Sequence, residues 1–371
     1  MLMEKTKINM WQYFVLILLF EFGTAIVVSL GVAAKKDAWI AILLGLIGGL
    51  ILYSVYVSLF HRHSGLPLTG YLREILGKHV GWLVGLIYLL LFIYGAARDL
   101  RDAGDLLVTA VYDQTPLFVV NFIMFIVIAY VLYKGVLVLV RTGEIFFLIL
   151  IFLGIMGNGL VWISGLVDIK NLLPILENGW KPIWTEAFPQ TLAFPFGEMI
   201  CFTMLLPYLQ KPQKAMKIGL FAMVLGGLVL SYTITLEISV LGYNLVSRNA
   251  FPLLQTISIV KIADFLQRFD AIAILTFIIC DFFKIAMFYY ASVLAVADLF
   301  KIKEQNKLVL PIGVVILFSS MTIASNFTEH MNEGIRLVPF YLLFPLQTVI
   351  PLLLLGISWI RQYWGPASNN S

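Results

Sequence analysis

The sequence predicts an all-α polytopic membrane protein of about ten transmembrane helices, arranged as an inverted five-plus-five bundle. Three observations carry this. Of the 371 residues, 61% are hydrophobic and only 12% charged, whereas a soluble domain is roughly 45–50% apolar and about 25% charged. Apolar stretches of the ~20 residues needed to cross a bilayer recur along the whole chain. Two of them, the first and the sixth, are interrupted at their centres, and matching breaks in two halves mark an inverted-repeat architecture with a site at mid-membrane.

The expected spans run over 11–33, 38–60, 82–112, 117–133, 144–164, 187–207, 216–240, 267–299, 308–326 and 337–360. They divide into a first repeat (1–164), an outer loop (165–186), a second repeat (187–360) and a tail (361–371). Five is odd, so the second repeat runs opposite to the first. With the N-terminus inside, fourteen lysines and arginines fall in cytoplasmic segments and seven in outer ones, which by the positive-inside rule makes both termini cytoplasmic.

Three connections exceed a turn. Segment 64–80 places Leu68, Tyr71, Leu72, Ile75 and Leu76 at helical spacing and predicts a short interfacial helix. Segment 165–186, with Pro174, Pro182, Trp180 and Trp184, predicts an irregular loop anchored by aromatics. Segment 241–266 carries another amphipathic stretch, suited to capping an outer vestibule. Ala367 to Ser371 reads as disordered.

Several classes of function fall away. Cys201 and Cys280 lie in apolar stretches, so no disulfide framework or thiol metal site is expected. His61, His63, His79 and His330 lie in connections and read as solvated. There is no P-loop, HExxH, nucleophile elbow or triad, so no enzymatic activity, cofactor or metal is expected. The net charge of +4 reflects loop residues and says little about nucleic acid. The first apolar run is too long for a signal peptide and contains Glu21, so it reads as a retained span. Asn326-Phe327-Thr328 is a formal sequon of no weight, and Glu237 reads as a water-accessible carboxylate near an outer helix end.

The sixth span, PQTLAFPFGEMICFTMLLP, holds Pro195, Gly197 and Glu198 at its midpoint. Proline removes a backbone donor, and lipid satisfies none of the groups so freed, so the break must face protein, water or ligand. Glu198 there is suited to holding an ammonium or a cation, or to a structural hydrogen bond with a neighbouring span. The first span breaks at Glu21-Phe22-Gly23-Thr24. Gly23 allows a ligand, or a neighbouring helix, to approach the backbone, and Thr24 offers a hydroxyl; Glu21 is a candidate partner for a basic residue elsewhere. In the eighth span Asp281 and Lys284 share a helical face. They read either as an internal ion pair or with Lys284 as a fixed cation where some five-plus-five transporters hold sodium. In the third span Arg98, Arg101, Asp102 and Asp105 follow the i, i+3, i+4, i+7 pattern beside Asp99, so that Arg98–Asp102 and Arg101–Asp105 can pair. The ladder starts about 24 Å along the helix, near the outer boundary, and reads equally as structural or as a gate. Tyr94 lies one turn inside it.

The stretches KINMWQ…FEFGTAI, DLL…YDQTPLFVV, VLVLVRTGEIF, NLLPILENGWKPIW, AFPFGEMICFTMLLP and FLQRFDAI…FFKIAMFYYASVLAVADLF together resemble the B subunits of GerA-type nutrient germinant receptors, over essentially the whole chain. The resemblance implies membership of the amino acid–polyamine–organocation superfamily, a LeuT-like fold and residence in the spore inner membrane. It implies a nutrient ligand, usually an amino acid, and two partners: a membrane A subunit and a lipoprotein C subunit. Ligand contacts carried onto this sequence fall on Phe22, Gly23, Thr24 and Ala25, on Phe194, Pro195, Phe196, Gly197 and Glu198, near Leu91 and Gly95, and near Lys284, a lysine that is not universal in the family. The expected function is a nutrient-sensing receptor subunit that is transporter-like in build. An autonomous ion-coupled amino acid transporter and a scaffold with a vestigial pocket are the competing readings.

Overall fold

The computed structural model describes residues 7–63, 65–260 and 269–364. Helix α1 (Met10–Phe22) starts at Asn9, whose side chain accepts from the Gln12 N–H at 2.8 Å while the Gln12 side chain accepts from the Asn9 N–H at 3.1 Å. This reciprocal cap fixes the start of the helix. Ahead of it, the Ile8 N–H donates to the Tyr208 carbonyl and the Gln210 N–H donates to the Ile8 carbonyl, each at 2.9 Å, which ties the chain start to the end of the sixth segment. At Gly23 the α-helix stops. A single tight turn, Thr24–Ile26, follows, and a second tight stretch, Val32–Asp37, leads into α2 (Ala38–Arg62).

The short helix expected in segment 64–80 is α3 (Leu68–Leu76), with Leu68, Tyr71, Leu72 and Ile75 buried. Helices α4 (Lys78–Ala110), α5 (Leu117–Lys134) and α6 (Val136–Ile163) complete the first half. Segment 165–186 is more ordered than its prolines suggest. It contains a tight turn, Ile169–Leu172, and a short α7 (Trp180–Thr185). Its Leu176 N–H donates to the Asp37 carboxylate at 3.0 Å, and its Glu177 meets Lys36 at 2.9 Å.

The second half comprises α8 (Ala215–Leu241), the short α9 (Tyr243–Val246) and α10 (Pro252–Ser258), α11 (Asp270–Leu299), α12 (Asn306–Thr322), α13 (Phe327–Arg336) and α14 (Ile350–Trp364). The last is preceded by wide turns at Pro339–Leu343 and Pro345–Val349, where two prolines interrupt the hydrogen-bond ladder. The parts of the expected amphipathic stretch at 261–266, and the tail at 367–371, lie outside the described residues.

Among the described residues, seven helical segments are long and apolar enough to cross a membrane. An eighth is counted if α12 and α13, bent by 101°, are taken as one span. The first and sixth expected spans are missing from that count because both are broken into short pieces. The ninth ends earlier than its apolar run: Asn326 accepts from the Glu329 N–H at 2.9 Å and starts α13 in a new direction, a capping role its sequon does not reveal.

Nearly all of α1 and most of α11 are buried, the pattern of central helices, with Glu21, Asp281 and Lys284 buried among otherwise mostly apolar side chains. By contrast α6 exposes Ile145, Leu148, Phe152 and Ile155 on one flank, as a lipid-facing helix does. Two tyrosines pin the irregular tenth segment to the bundle. Tyr56 Oη donates to the Gln347 carbonyl at 2.5 Å, and Tyr88 Oη to that of Leu346 at 2.6 Å.

Candidate functional site

The two breaks meet across α11. The sixth segment begins as a wide helical stretch, Glu186–Thr191, and resumes as a tight helix, Phe196–Met204, after Pro195. Gly197 stands where a Cβ would run into the side-chain oxygen of Gln347 and sit 3.1 Å from the Leu192 carbonyl, so a side chain there would have to displace Gln347 of the tenth segment. Gly23 serves the first break similarly, because a Cβ there would overlap the Lys284 side chain. The lysine stem therefore lies directly over the end of α1.

From that position Lys284 reaches the other break. Its Nζ is 2.8 Å from Oε2 of Glu198 and 3.6 Å from Oδ1 of Asp99, with the lysine wholly buried. The Phe194 ring centroid is 4.2 Å away, within cation–π range. The contact with Glu198 is an ion pair by distance without the alignment of a full hydrogen bond. Thr24 Oγ1 lies 3.0 Å from Oδ1 of Asp99 and 3.0 Å from Oδ1 of Asp281. Its one proton can serve only one of them at a time. The expected pairing of Asp281 with Lys284 is thus replaced: Asp281 turns to Thr24 at the first break, and the lysine spans to the sixth break and to α4. Two carboxyls, Glu198 and Asp99, pair with the ammonium and Asp281 joins them through Thr24; Oδ2 of Asp99 and of Asp281 are buried without hydrogen-bond partners among the described residues. Fully ionised, the cluster would hold two negative charges in excess, so a bound cation, a ligand ammonium or protons must complete it.

A cavity of about 340 Å³ opens above this cluster, within the range of small-molecule sites. Of the candidate ligand contacts, Thr24, Leu91, Tyr94, Gly95, Phe194 and Glu198 line it. Gly23, Ala25, Pro195, Phe196 and Gly197 do not border it; they shape the backbone behind it. Lys284 sits one layer deeper, screened by Glu198, and Phe22 faces a different cavity on the far side of α1.

The third-span ladder is a buried connection to the α12–α13 corner. Arg101 pairs with Asp105 at 2.9 Å, as its spacing predicts, and Nη1 donates to the Ser320 and Ala324 carbonyls at 3.4 Å each. Asp102 is not held by Arg98. Its partner is His330, with Nε2 2.6 Å from Oδ1, and Arg98 donates instead to the His330 carbonyl at 3.2 Å. His330 is therefore no solvated loop histidine but a fully buried residue of α13, and α13 walls the cavity through Phe327, Met331 and Asn332.

Two other carboxyls differ from expectation. Glu21 finds no basic residue; both of its oxygens are buried without hydrogen-bond partners among the described residues, and it packs against Gly226 of α8. Glu237 is 2% exposed, so the nearby helix end does not bring it to water.

The spacing 91, 95, 99, 102 on α4 holds the signal that would have singled out Asp99, because those residues share the face that meets the cavity. Gln347 and Asn332 carried no such signal. Each reaches the cavity only because a wide turn or a bend redirects the chain.

Comparison with known proteins bears on the family and the fold. A family model described as "Spore germination protein" matches residues 7–328. Spore germination protein KB of Bacillus subtilis is 41% identical over 352 residues, covering 95% of this chain and 94% of that protein. Spore germination protein YndE of the same organism is 24% identical over 335 residues, covering 88% of each. Among solved structures, that of MhsT in complex with L-phenylalanine matches with a TM-score of 0.62 at 14% identity, covering 95% of this chain and 89% of that one. At that identity the likeness bears on the fold alone, and the fold is LeuT-like.

Proposed function

Because this chain belongs to the spore germination protein family, we propose that it is the nutrient-sensing subunit of a spore germinant receptor. A small nutrient, an amino acid in the leading reading, binds at mid-membrane in the cavity between the two breaks. The observation that carries this reading is the Lys284–Glu198–Asp99 cluster. One side chain of α11 contacts the end of α1 and the start of the second half of the sixth segment, so a ligand that redistributes charge there shifts three elements at once. The carboxyl charge in excess of Lys284 suits the ammonium of an amino acid. Arg98, whose Nη1 is buried at the cavity wall without a hydrogen-bond partner among the described residues, suits its carboxylate. Closure around the ligand then changes contacts with a membrane A subunit and a lipoprotein C subunit in the spore inner membrane, and germination follows without bulk uptake.

An autonomous ion-coupled amino acid transporter is the second reading. Glu21 favours it, since an unpartnered carboxyl buried beside the first break is suited to carrying a proton. Reconstitution separates the two. Purified protein in proteoliposomes is given labelled amino acids, with labelled glucose as the contrasting ligand. Saturable amino acid binding without flux supports the sensor, concentrative flux supports the transporter, and absence of both overturns the pocket assignment.

A further inference from the structure

A second cavity, of about 450 Å³, lies on the opposite side of the first break, walled by α1, α6, α8, α10 and α11, and shares no lining residue with the first. Its polarity is graded along the helices. At mid-bundle the walls are Leu18, Phe147, Leu150 and Leu225, whereas toward the C-terminal ends of α6 and α8 they carry Asn158, Thr233 and Glu237. Asn158 and Thr233 donate to carbonyls of their own helices. Glu237 has no such outlet: it is 2% exposed, its Oε1 is buried without a hydrogen-bond partner, and no basic residue pairs with it among the described residues. From Leu225 to Glu237 the wall of α8 is about 18 Å long. The cavity borders the flank of the bundle, since its lining residues Ile155 and Tyr232 are 71% and 44% exposed.

We propose that this cavity binds a single-chain amphiphile with a primary ammonium head, entering from the bilayer. The head lies against Glu237 at the shallow end, and the alkyl chain runs down the apolar wall toward Leu150 and Leu225. A lone carboxylate in a low-dielectric site is costly, and an ammonium offsets that cost with both charge and N–H donors. An alcohol head brings no positive charge to hold the carboxyl ionised, and a fatty acid adds a second acid. The methylene chain gains by burial only along the apolar part, which fixes the orientation. The occupant would also rest on Phe22, the last residue of α1 before its break.

The test uses the full chain in phosphatidylcholine nanodiscs, with tetradecylamine carrying a terminal diazirine as the probe. The matching alcohol and fatty acid serve as comparisons, and labelled residues are mapped by mass spectrometry. The expected result is saturable labelling by the amine on α6 and α8 near Leu150 and Leu225, reduced more than about tenfold by Glu237→Gln. Gly154→Leu should reduce it as well, because Gly154 lines the cavity and a Cβ there meets nothing within 4 Å. That variant fills the space without touching the carboxyl, so it keeps the test decisive if Glu237→Gln does not accumulate. Equal labelling by amine, alcohol and acid, insensitive to Glu237→Gln, means generic filling by lipid chains and overturns the proposal. So does amine labelling confined to other surfaces.

Discussion

Lys284 on α11 lies 2.8 Å from Glu198 in the sixth segment, across the break that Pro195 makes, while its stem covers the break at Gly23. One side chain thus joins both discontinuities, and wholly buried charges of this kind respond strongly to the loss of a partner. Replacing Lys284 by Met should leave Glu198 and Asp99 unpaired and destabilise the protein by about 3–5 kcal/mol, read as a lower midpoint of thermal unfolding in detergent. Adding Glu198→Gln to Lys284→Met should recover part of the loss. A double variant no more stable than the single one would mean that the pair does not hold the two elements together.

Gly23→Leu should abolish the nutrient response, measured as dipicolinic acid release from spores, with the protein still present in the membrane. The physical reason is the Lys284 stem, which occupies the space where a side chain at 23 would begin. An unchanged response in that variant sinks the assignment of the pocket.

Thr24 stands between Asp99 and Asp281. Thr24→Val keeps the shape and removes the hydroxyl, which leaves a buried carboxylate oxygen without its donor, at a cost of about 1–3 kcal/mol. Nutrient binding to the reconstituted protein should weaken, as seen by calorimetric titration. Unaltered affinity would make the hydroxyl a bystander.

The pairing of His330 with Asp102 fastens α13 to α4 beside the cavity. His330→Ala should loosen α13 selectively, so that amide hydrogen exchange over residues 327–336 rises while the central stretch of α11 stays protected. Uniform protection across both would show that the bend between α12 and α13 holds without this contact.

The apolar runs, the short helix α3 and the two breaks were legible in the sequence, because each depends on local chemistry: proline lacks a donor, glycine lacks a Cβ, and unbroken hydrophobic stretches of sufficient length have few alternatives to the bilayer. The i, i+4 pair Arg101–Asp105 was legible for the same reason. Which carboxyl each buried cation chooses was not. Asp281 and Lys284 are one turn apart, yet the lysine takes Glu198 and Asp99 from other elements. Likewise Asp102 takes His330 from a helix far along the chain. Burial removes water as the competing partner and favours whichever groups the packed helices bring within reach. Helical spacing fixes which residues share a face, but only the packing of one helix against another decides what that face meets.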